Sequence, residues 1–302
     1  MENPTFYHTT VLLKEAVDGL AIKPNGVYID ATFGGGGHSR EILKALGPEG
    51  KLFAFDHDAA AWRNKPNDVR LIPVTENFRY MRRFLRLHNQ PEVDGILADL
   101  GVSSYQFDTA ERGFSTRFDG PLDMRMDSRM DKTAADILRT YSEAELHRIF
   151  EQYGEVRNSR ELARHIANNR NKIKLTDIES LKALVTPIMK GNPARYLAQL
   201  FQALRIEVNE ELEALKEFLE QAPQCLKISG RLSVISFHSL EDRLVKNFMK
   251  QGMWEVELNE FGQQVSKALL KPVNNKSIEP TAAEVERNPR ARSARLRVAE
   301  RI

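Results

Sequence analysis

Four consecutive glycines, Gly34–Gly37, constrain the fold of this chain more than any other feature. They follow an apolar, β-type run that ends at Asp30, and they precede a helical run, Ser39–Leu46. Glycine lets the backbone approach a ligand closely, and the N-terminus of the following helix then points at that ligand. The pattern therefore predicts the strand–loop–helix unit with which doubly wound α/β proteins hold a nucleotide-like cofactor.

The spacing of the glycines separates two classes of cofactor. A dinucleotide fingerprint has Gly-x-Gly-x-x-Gly or Ala, but here the last position is Ser39 or Arg40, depending on the first glycine counted. An acid at the strand end, four residues before Gly34, is instead typical of S-adenosylmethionine-dependent methyltransferases. S-adenosylmethionine is therefore the predicted cofactor. A flexible loop without a ligand is the alternative.

The next β-type run, Lys51–Asp56, supports a cofactor site. It ends in an acid about twenty residues after the glycines, where a carboxylate accepts hydrogen bonds from ribose hydroxyls. Asp58 competes for that role, and either acid is otherwise the N-cap of a helix that begins near Ala59. We predict that Asp56 is the ligand.

Two more β-type runs follow, Val69–Val74 and Val93–Asp99. Phe78 lies just beyond the first run, where it either stacks on an adenine or belongs to the core. Asp99 ends the second run and leads into a turn at Gly101. Because strand ends of this sheet type line the ligand crevice, we expect Asp99 beside the glycine loop. A cap for the turn is the alternative role.

The composition indicates a globular protein without a membrane partner. The 302 residues suffice for one or two domains, 41% of them are hydrophobic, and no apolar run approaches the roughly eighteen residues of a membrane span. Met1–His8 has neither the basic start nor the apolar core of a signal peptide. The single cysteine, Cys225, excludes an internal disulfide and fits a reducing cytoplasm. No Cys or His pair has metal-ligand spacing, so no metal is expected.

Clusters of arginine suggest an anionic partner, although the net charge is only +2. Arginine suits bidentate contact with phosphate, and phosphate contacts supply most of the nonspecific affinity for nucleic acids. RNA binding is therefore a hypothesis, and a solvated basic surface is the alternative. The clusters are Arg79, Arg82, Arg83 and Arg86, and Arg287, Arg290, Arg292, Arg295, Arg297 and Arg301.

Helical patterns dominate the middle of the chain. Thr176 is predicted to cap a helix over residues 177–190. Pro193 is predicted to open a long helix over residues 194–219, where apolar side chains recur at three- and four-residue steps. Ser239 is predicted to cap the helix that follows the next β-type run.

The change of pattern defines the predicted domains. Strand character returns at Gly230–Phe237, after the helical block. We predict an α/β, Rossmann-like methyltransferase fold with a doubly wound, mostly parallel sheet, formed by residues 1–106 and 206–302. Residues 107–205 form an inserted all-helical domain that is expected to recognise the substrate. A lid that serves only stability is the alternative.

The residue types also restrict the methyl acceptor. Methylation of a pyrimidine carbon needs a cysteine thiolate, and Cys225 is far in sequence from the end of the fourth strand. An exocyclic amine needs only a hydrogen-bond acceptor and an in-line approach to the methyl group. Asp99 is the hypothetical acceptor in catalysis. His38 and His238 are the histidines expected nearest the site.

Long motifs occur along nearly the whole chain in an order that one known family shares. They are Tyr7–Val17, Asp30–Ser39, Gly95–Ser104, Ala110–Ser115, Asp119–Asp127, Phe201–Asn209, Ser233–Arg243 and Asn288–Arg297. On these motifs the chain resembles the ribosomal RNA small subunit methyltransferase H family. Its members are bacterial enzymes that methylate the exocyclic N4 of a cytidine in the decoding region of 16S rRNA.

The resemblance implies a set of ligands and a partner. The partner is 16S rRNA within the small ribosomal subunit, and a homodimer is left open. The residues implied to hold S-adenosylmethionine are Gly36, Gly37, His38, Asp56, Phe78, Asp99 and Gln106. Arginines of the C-terminal segment and of the Glu111–Arg125 loop are expected to hold phosphates.

Two other functions are compatible with this fold. A nicotinamide-dependent oxidoreductase is disfavoured by the spacing of the glycines, and a cofactor titration distinguishes it. A noncatalytic, cofactor-binding ribosome-assembly factor would bind RNA without forming a methylated product.

Overall fold

The computed structural model describes residues 10–252, 254 and 268–302. Residues 7–9, which open the first of the matching motifs, lie outside this described part. Among the helices that the structure describes, none is both long and apolar enough to cross a membrane.

The chain divides into two compact units. The core unit comprises residues 1–101 and 212–302, and the helical unit comprises residues 102–211. The segment 107–205, predicted as an inserted helical domain, lies inside the helical unit. Its role in substrate recognition stays a prediction.

In the described part of the chain, seven strands form one sheet in the core unit. They are β1 (Val27–Asp30), β2 (Lys51–Phe55), β3 (Leu71–Val74), β4 (Val93–Asp99), β5 (Leu226–Ser236), β6 (Leu270–Pro272) and β7 (Arg295–Arg301). Their order is β3-β2-β1-β4-β5-β7-β6. The first five pair in parallel, and β7 is antiparallel to both β5 and β6. The predicted α/β fold with a mostly parallel sheet is confirmed.

The same residues contain twelve α-helices. They are α1 (Leu13–Gly19), α2 (Gly37–Ala45), α3 (Met81–Leu87), α4 (Ser104–Asp108), α5 (Ala134–Thr140), α6 (Glu143–Gln152), α7 (Ser159–Asn169), α8 (Ile178–Val185), α9 (Pro193–Asn209), α10 (Glu211–Cys225), α11 (Ser239–Gln251) and α12 (Ala282–Arg287). Helices α3, α10 and α11 cover one face of the sheet, and α1 and α2 cover the other.

Side chains of the central strands alternate between these two faces, as strand geometry requires. Ile29 of β1 and Ile96 of β4 belong to one buried cluster, whereas their neighbours Tyr28 and Leu97 belong to the other. A sheet buried on both faces leaves the carboxyl ends of its parallel strands as the place for a ligand.

The prediction of one helix over residues 194–219 is wrong. The helix α9 ends at Asn209, and Glu210 takes a left-handed conformation with φ of 51° before α10 begins. The Asn209 amide donates to the carbonyl of Met124 and accepts from the backbone of Met126, both at 2.7 Å. These tertiary hydrogen bonds tie the end of α9 to a loop, although the apolar periodicity continues.

The helix predicted over residues 177–190 is shorter than expected. Its N-cap is Asp177 rather than Thr176, because the Asp177 carboxylate accepts from the backbone N–H of Ser180 at 2.8 Å. The helix α8 ends before Pro187, and a 3-10 turn follows. Proline cannot continue an α-helix, since it lacks a backbone donor and clashes with the preceding turn.

Candidate active site

The carboxyl ends of β1, β4 and β5 bring three acids together. Asp30 ends β1, Asp99 ends β4, and Glu241 lies in the first turn of α11, which follows β5. Burial, and then the negative charges of Asp30 and Glu241, raise the pKa of Asp99 well above its usual value. The ionisation of all three acids together is therefore disfavoured at this edge of the sheet.

Asp30 organises the start of the glycine loop. It is fully buried, and its carboxylate accepts from the Ser39 hydroxyl at 2.6 Å and from the backbone of Thr32 at 3.2 Å. Burial raises the pKa of Asp30 to about 6, and the hydrogen bonds oppose that rise. The acid before the glycines thus joins β1 to α2.

The backbone of the loop explains why glycines stand there. Gly34 and Gly36 have φ of 51° and 74°, in the left-handed region that favours glycine. A Cβ on Gly37 would lie 1.8 Å from the Thr10 hydroxyl oxygen, which is far inside contact distance. The helix α2 begins at Gly37, whereas the sequence pattern predicted Ser39.

Asp56 lies directly beside the glycine loop. One of its carboxylate oxygens accepts from the backbone N–H of Gly34 and the other from that of Asp58, both at 2.8 Å. Burial raises the pKa of Asp56 to about 6. Asp58 accepts from the backbone of Ala60 at 2.9 Å, so its side chain serves the turn.

The α-helix predicted near Ala59 is absent from the described residues, where a 3-10 turn over Ala61–Asn64 stands instead. This turn brings Trp62 against the loop. Its ring stacks on Phe33 with centroids 4.7 Å apart, and its indole N–H donates to the backbone carbonyl of Asp56 at 3.3 Å. The sequence reasoning missed Trp62, because an aromatic residue in a short turn has no periodicity that reveals its neighbours.

Phe78 begins the 3-10 turn before α3 and is half-buried. Its ring packs edge-on against Phe218 with centroids 5.2 Å apart, so it contacts the core of the unit. The side chain of Asn77 caps the turn by accepting from the backbone of Arg79 at 2.9 Å. Stacking of Phe78 on an adenine stays a prediction.

Asp99 carries an acceptor that is buried and unsatisfied. Its backbone N–H donates to the Thr32 hydroxyl oxygen at 2.6 Å, and its Oδ2 lies 3.7 Å from Nδ1 of His38. Its Oδ1 is shielded from solvent and accepts no hydrogen bond from any described residue. A buried acceptor of this kind is stabilised when a ligand donates to it.

The end of β5 completes this edge. Glu241 is buried, and its Oε2 accepts from the backbone of Phe237 at 2.9 Å. Its Oε1 lies 3.2 Å from Nε2 of His238. His238, not the predicted Ser239, is the N-cap of α11. Glu241 was missed as a site residue, but an acid three residues after an N-cap is the spacing of a capping box and was a usable signal.

Gln106 lies in α4. It belongs to the helical unit, where its side-chain oxygen accepts from the backbone of Ser103 at 2.9 Å. Its own backbone N–H donates to the Ser103 hydroxyl at 3.2 Å, which completes a capping box at the start of α4. A role for Gln106 toward the cofactor stays a prediction.

Several arginines predicted to hold phosphates contact acids of the protein itself. Arg297 forms two hydrogen bonds with Asp242, at 2.7 and 3.0 Å. Arg125 of the Glu111–Arg125 loop pairs with Asp123 at 2.8 Å. Their charges are already compensated within the fold.

The arginines of α3 differ from these. Arg83 and Arg86 are exposed, and no acid among the described residues lies within ion-pair distance of either side chain. Arg79, just before α3, is paired with Glu217. These two exposed arginines are available to an anion.

Cys225 lies in the core at the end of α10 and is fully buried. Burial raises the pKa of its thiol to about 11. A thiol in this state is neither ionised near neutral pH nor accessible, so it does not act as a nucleophile.

The sequence matches the model of the MraW methylase family over residues 5–302. The chain belongs to this family. Ribosomal RNA small subunit methyltransferase H of Flavobacterium psychrophilum is 55% identical, over 96% of this chain and 100% of its own. The protein of the same name from Cytophaga hutchinsonii is 56% identical, over 98% of this chain and 99% of its own. A solved rRNA methylase from Streptococcus thermophilus is 10% identical, over 97% and 98% of the two chains, with a TM-score of 0.45.

Membership of the MraW methylase family confirms the resemblance drawn from the motifs. Methylases transfer a methyl group, and S-adenosylmethionine, the predicted cofactor, is a methyl donor. The match covers both the glycine loop of the core unit and the whole helical unit, so both are part of the sequence that the family shares.

Proposed function

We propose that this chain is an S-adenosylmethionine-dependent methyltransferase that modifies the exocyclic N4 of a cytidine in the decoding region of 16S rRNA, within the small ribosomal subunit. Family membership and the names of the relatives support an rRNA substrate of the small subunit. The observation that carries the proposal is Oδ1 of Asp99, a buried acceptor to which no described residue donates.

The proposed cofactor site includes this acceptor, the glycine loop and the other residues that the family resemblance implies. When bound, S-adenosylmethionine supplies a methyl group on a positively charged sulfur. The acids at the strand ends favour a positive charge there, because an opposite charge relieves the repulsion among them. The proposed ligands are Gly36, Gly37, His38, Asp56, Phe78, Asp99 and Gln106.

An exocyclic amine suits this site better than a ring carbon does. Methylation of a pyrimidine carbon requires a cysteine thiolate, and Cys225 is buried with a raised thiol pKa. An amine requires a hydrogen-bond acceptor that orients its nitrogen toward the methyl group. Oδ1 of Asp99 is a hydrogen-bond acceptor to which no described residue donates, so it suits that role.

The raised pKa of Asp99 has a mechanistic consequence. A protonated carboxyl donates a hydrogen bond, whereas catalysis requires that Asp99 accept one from the amine. A cation held nearby would lower the pKa of a carboxyl, so bound S-adenosylmethionine would favour the ionised form of Asp99. Thr32 and His38 hold the backbone and Oδ2 of Asp99, which leaves Oδ1 for the amine. In the transfer, the amine nitrogen would bond to the methyl carbon as the bond from that carbon to sulfur breaks. S-adenosylhomocysteine would leave, and the surplus proton of the amine would pass to Asp99 or to water.

The cytidine must reach this edge as an unstacked base. An amine on the edge of a stacked, paired base cannot approach a buried methyl donor, and enzymes that modify bases act on extruded or single-stranded nucleotides. Loops of RNA present unstacked bases at low energetic cost.

The test is transfer of a labelled methyl group from S-adenosylmethionine to small ribosomal subunits that lack the modification. Naked 16S rRNA serves as a parallel substrate, and digested nucleosides are identified by mass. We expect label in N4-methylcytidine at a decoding-region position. Label in another nucleoside would overturn the proposed acceptor. RNA binding and cofactor binding without any product would replace the proposal by a noncatalytic assembly factor.

A further inference from the structure

A loop of the helical unit exposes an aromatic ring beside a guanidinium group. Phe118 is 41% exposed, and the side chain of Arg117 is 55% exposed. A single exposed apolar side chain is ordinary on a protein surface, but this ring also packs against a guanidinium. Both residues belong to the helical unit, and neither is among the proposed cofactor ligands.

The guanidinium of Arg117 contacts two aromatic rings. Its central carbon lies 5.3 Å from the ring centroid of Phe107 and 5.5 Å from that of Phe118, within the range of cation–π contact. Phe107 packs against the buried cluster of the helical unit. An N–H of Arg117 donates to Asp108 at 2.9 Å, which fixes the plane of the guanidinium.

The loop that carries this pair is rigid. Gly113 has φ of 73°, and a Cβ on it would lie 2.2 Å from the carbonyl oxygen of Pro121. A Cβ on Gly120 would lie equally close, 2.2 Å, to the carbonyl oxygen of Ala110. Gly120 also accepts from the backbone of Ile178 at 2.9 Å. Because the loop is fastened on both sides of Phe118, its ring is presented without an ordering penalty on binding.

The chemistry of this surface fits a nucleobase. Aromatic rings and arginine planes are the groups on which proteins stack unpaired bases, and such stacking tolerates any base. A protein partner would need a broader apolar patch, but the chain neighbours of Phe118 are Arg117 and Asp119, both exposed and charged.

We propose that Phe118, held by Arg117, is a stacking platform for an unpaired base of the RNA substrate. The identity of that RNA rests on the function proposed above, whereas the stacking chemistry does not. In this role Phe118 contributes to RNA affinity.

The test compares Phe118→Ala with Phe118→Tyr and with Ile173→Ala, in the full-length protein. Ile173 is a suitable control because it is an apolar residue of the same unit with similar exposure, 38%. Small-subunit rRNA is the probe, and its dissociation constant is measured over a range of salt concentrations. We expect Phe118→Ala to weaken binding by about tenfold or more. Phe118→Tyr and Ile173→Ala should bind within about twofold of the unchanged protein.

Two further readouts separate stacking from other roles. A stacking residue neutralises no phosphate, so the slope of log affinity against log salt should be unchanged in Phe118→Ala. The KM for RNA should rise while the dissociation constant for S-adenosylmethionine stays constant. A changed salt slope, or a loss of cofactor affinity equal to the loss of RNA affinity, would overturn the platform.

The outcomes also distinguish this inference from the proposed function. If the enzyme methylates rRNA and Phe118→Ala binds it normally, the platform is wrong and the function stands. If the unchanged protein binds rRNA without methylating it and Phe118→Ala loses that binding, the platform stands and the function is wrong. Loss of binding to a ribosomal protein, with RNA affinity intact, would replace the base by a protein partner.

Discussion

The core unit and the helical unit treat charge in opposite ways. At the strand ends of the core unit, Asp30, Asp99 and Glu241 concentrate negative charge, and one oxygen of Asp99 has no donor among the described residues. In the helical unit, Arg117 and Arg125 are each paired with an aspartate close in sequence. An unsatisfied acid in a buried site indicates a ligand, whereas an abundance of arginine does not by itself indicate an RNA contact.

This difference has an energetic basis. Burying a carboxylate near like charges disfavours its ionised form, and such an arrangement persists where a ligand compensates for it. An arginine paired on the surface contributes little to stability and holds its charge in a local contact. The two units are therefore suited to different tasks, and substitutions in each should have different signatures.

The strongest contrast is expected between two acids of β4. Asp99→Asn should lower kcat by about 10²–10⁴-fold, because a neutral amide is a weaker hydrogen-bond acceptor for the amine than a carboxylate and cannot take its proton. Asp94 on the same strand is paired with Lys227 at 2.8 Å and accepts from the backbone of Val27 at 3.0 Å. Asp94→Asn should therefore lower stability with little change in kcat. Single-turnover methyl transfer and thermal unfolding measure the two effects.

Cofactor affinity provides the control for this pair. Because Asp99 is also a proposed ligand of S-adenosylmethionine, the affinity of each variant is measured first and turnover is compared at saturating cofactor, so that a loss of turnover cannot be ascribed to an empty site. Full turnover by Asp99→Asn at saturating cofactor would eliminate Asp99 as the acceptor, and equal losses of kcat in both variants would indicate a general effect on β4.

The response of Asp30 to pH is the second contrast. Its pKa rises on folding from 3.8 to about 6, which corresponds to about 3 kcal/mol of unfolding free energy. The folded chain retains this proton more tightly than the unfolded chain, so the contribution is fully present below pH 4 and is lost as the pH rises through about 6. Asn at position 30 does not titrate. Asp30→Asn should therefore gain stability relative to the unchanged protein between pH 4 and pH 7.

Denaturant unfolding at several pH values, without cofactor, checks this sign. Asp68, which is half-buried and whose pKa Arg70 lowers to about 2, offers a control of opposite direction between about pH 2 and pH 4. Relative to the unchanged protein, Asp68→Asn should lose stability as the pH rises. A stability difference for Asp30→Asn that does not vary with pH would contradict the shifted pKa.

Much of the core unit was predictable from sequence, because its signals are local. The strands that end at Asp30 and Asp99 are apolar runs. The glycines indicate positions where the backbone is left-handed or packs closely against a neighbour. The C-terminal segment was harder: Arg295–Arg301 was read as a basic surface but forms the strand β7. Its pairing with β5 is a contact between distant segments, and single-sequence patterns do not encode such pairings.

The same limit explains the errors in the helical region. The break at Glu210 depends on hydrogen bonds between Asn209 and a loop more than eighty residues earlier, which no periodicity reveals. The site residues Trp62 and Glu241 were missed for a related reason, because their role depends on which turn folds back on which strand end. The motif around Glu241 was visible, but its contact with Phe237 was not.

Two glycines of the loop should respond to alanine in different ways. Gly37→Ala places a methyl group 1.8 Å from the Thr10 hydroxyl oxygen and should weaken cofactor binding by about 1–3 kcal/mol, since the loop must move. At Gly34 the nearest atom to an added Cβ is 3.8 Å away, so Gly34→Ala carries only the strain of its positive φ, about 1 kcal/mol. Calorimetric titration with S-adenosylmethionine measures both. A larger loss of affinity for Gly34→Ala than for Gly37→Ala would show that contact with the ligand, rather than with Thr10, restricts substitutions in the loop.

The smallest effect is expected from arginines, and it tests whether pairing within the fold predicts availability to RNA. Arg83 is exposed and has no acidic partner among the described residues, so Arg83→Gln should weaken binding of small-subunit rRNA a few-fold and reduce the salt slope by about 1. Arg297 is mostly buried against Asp242, so Arg297→Gln should lower thermal stability and leave the slope unchanged. If instead Arg297→Gln reduced the salt slope and Arg83→Gln did not, RNA would displace Asp242 from Arg297. Ion pairs seen in the free protein would then not identify its RNA surface.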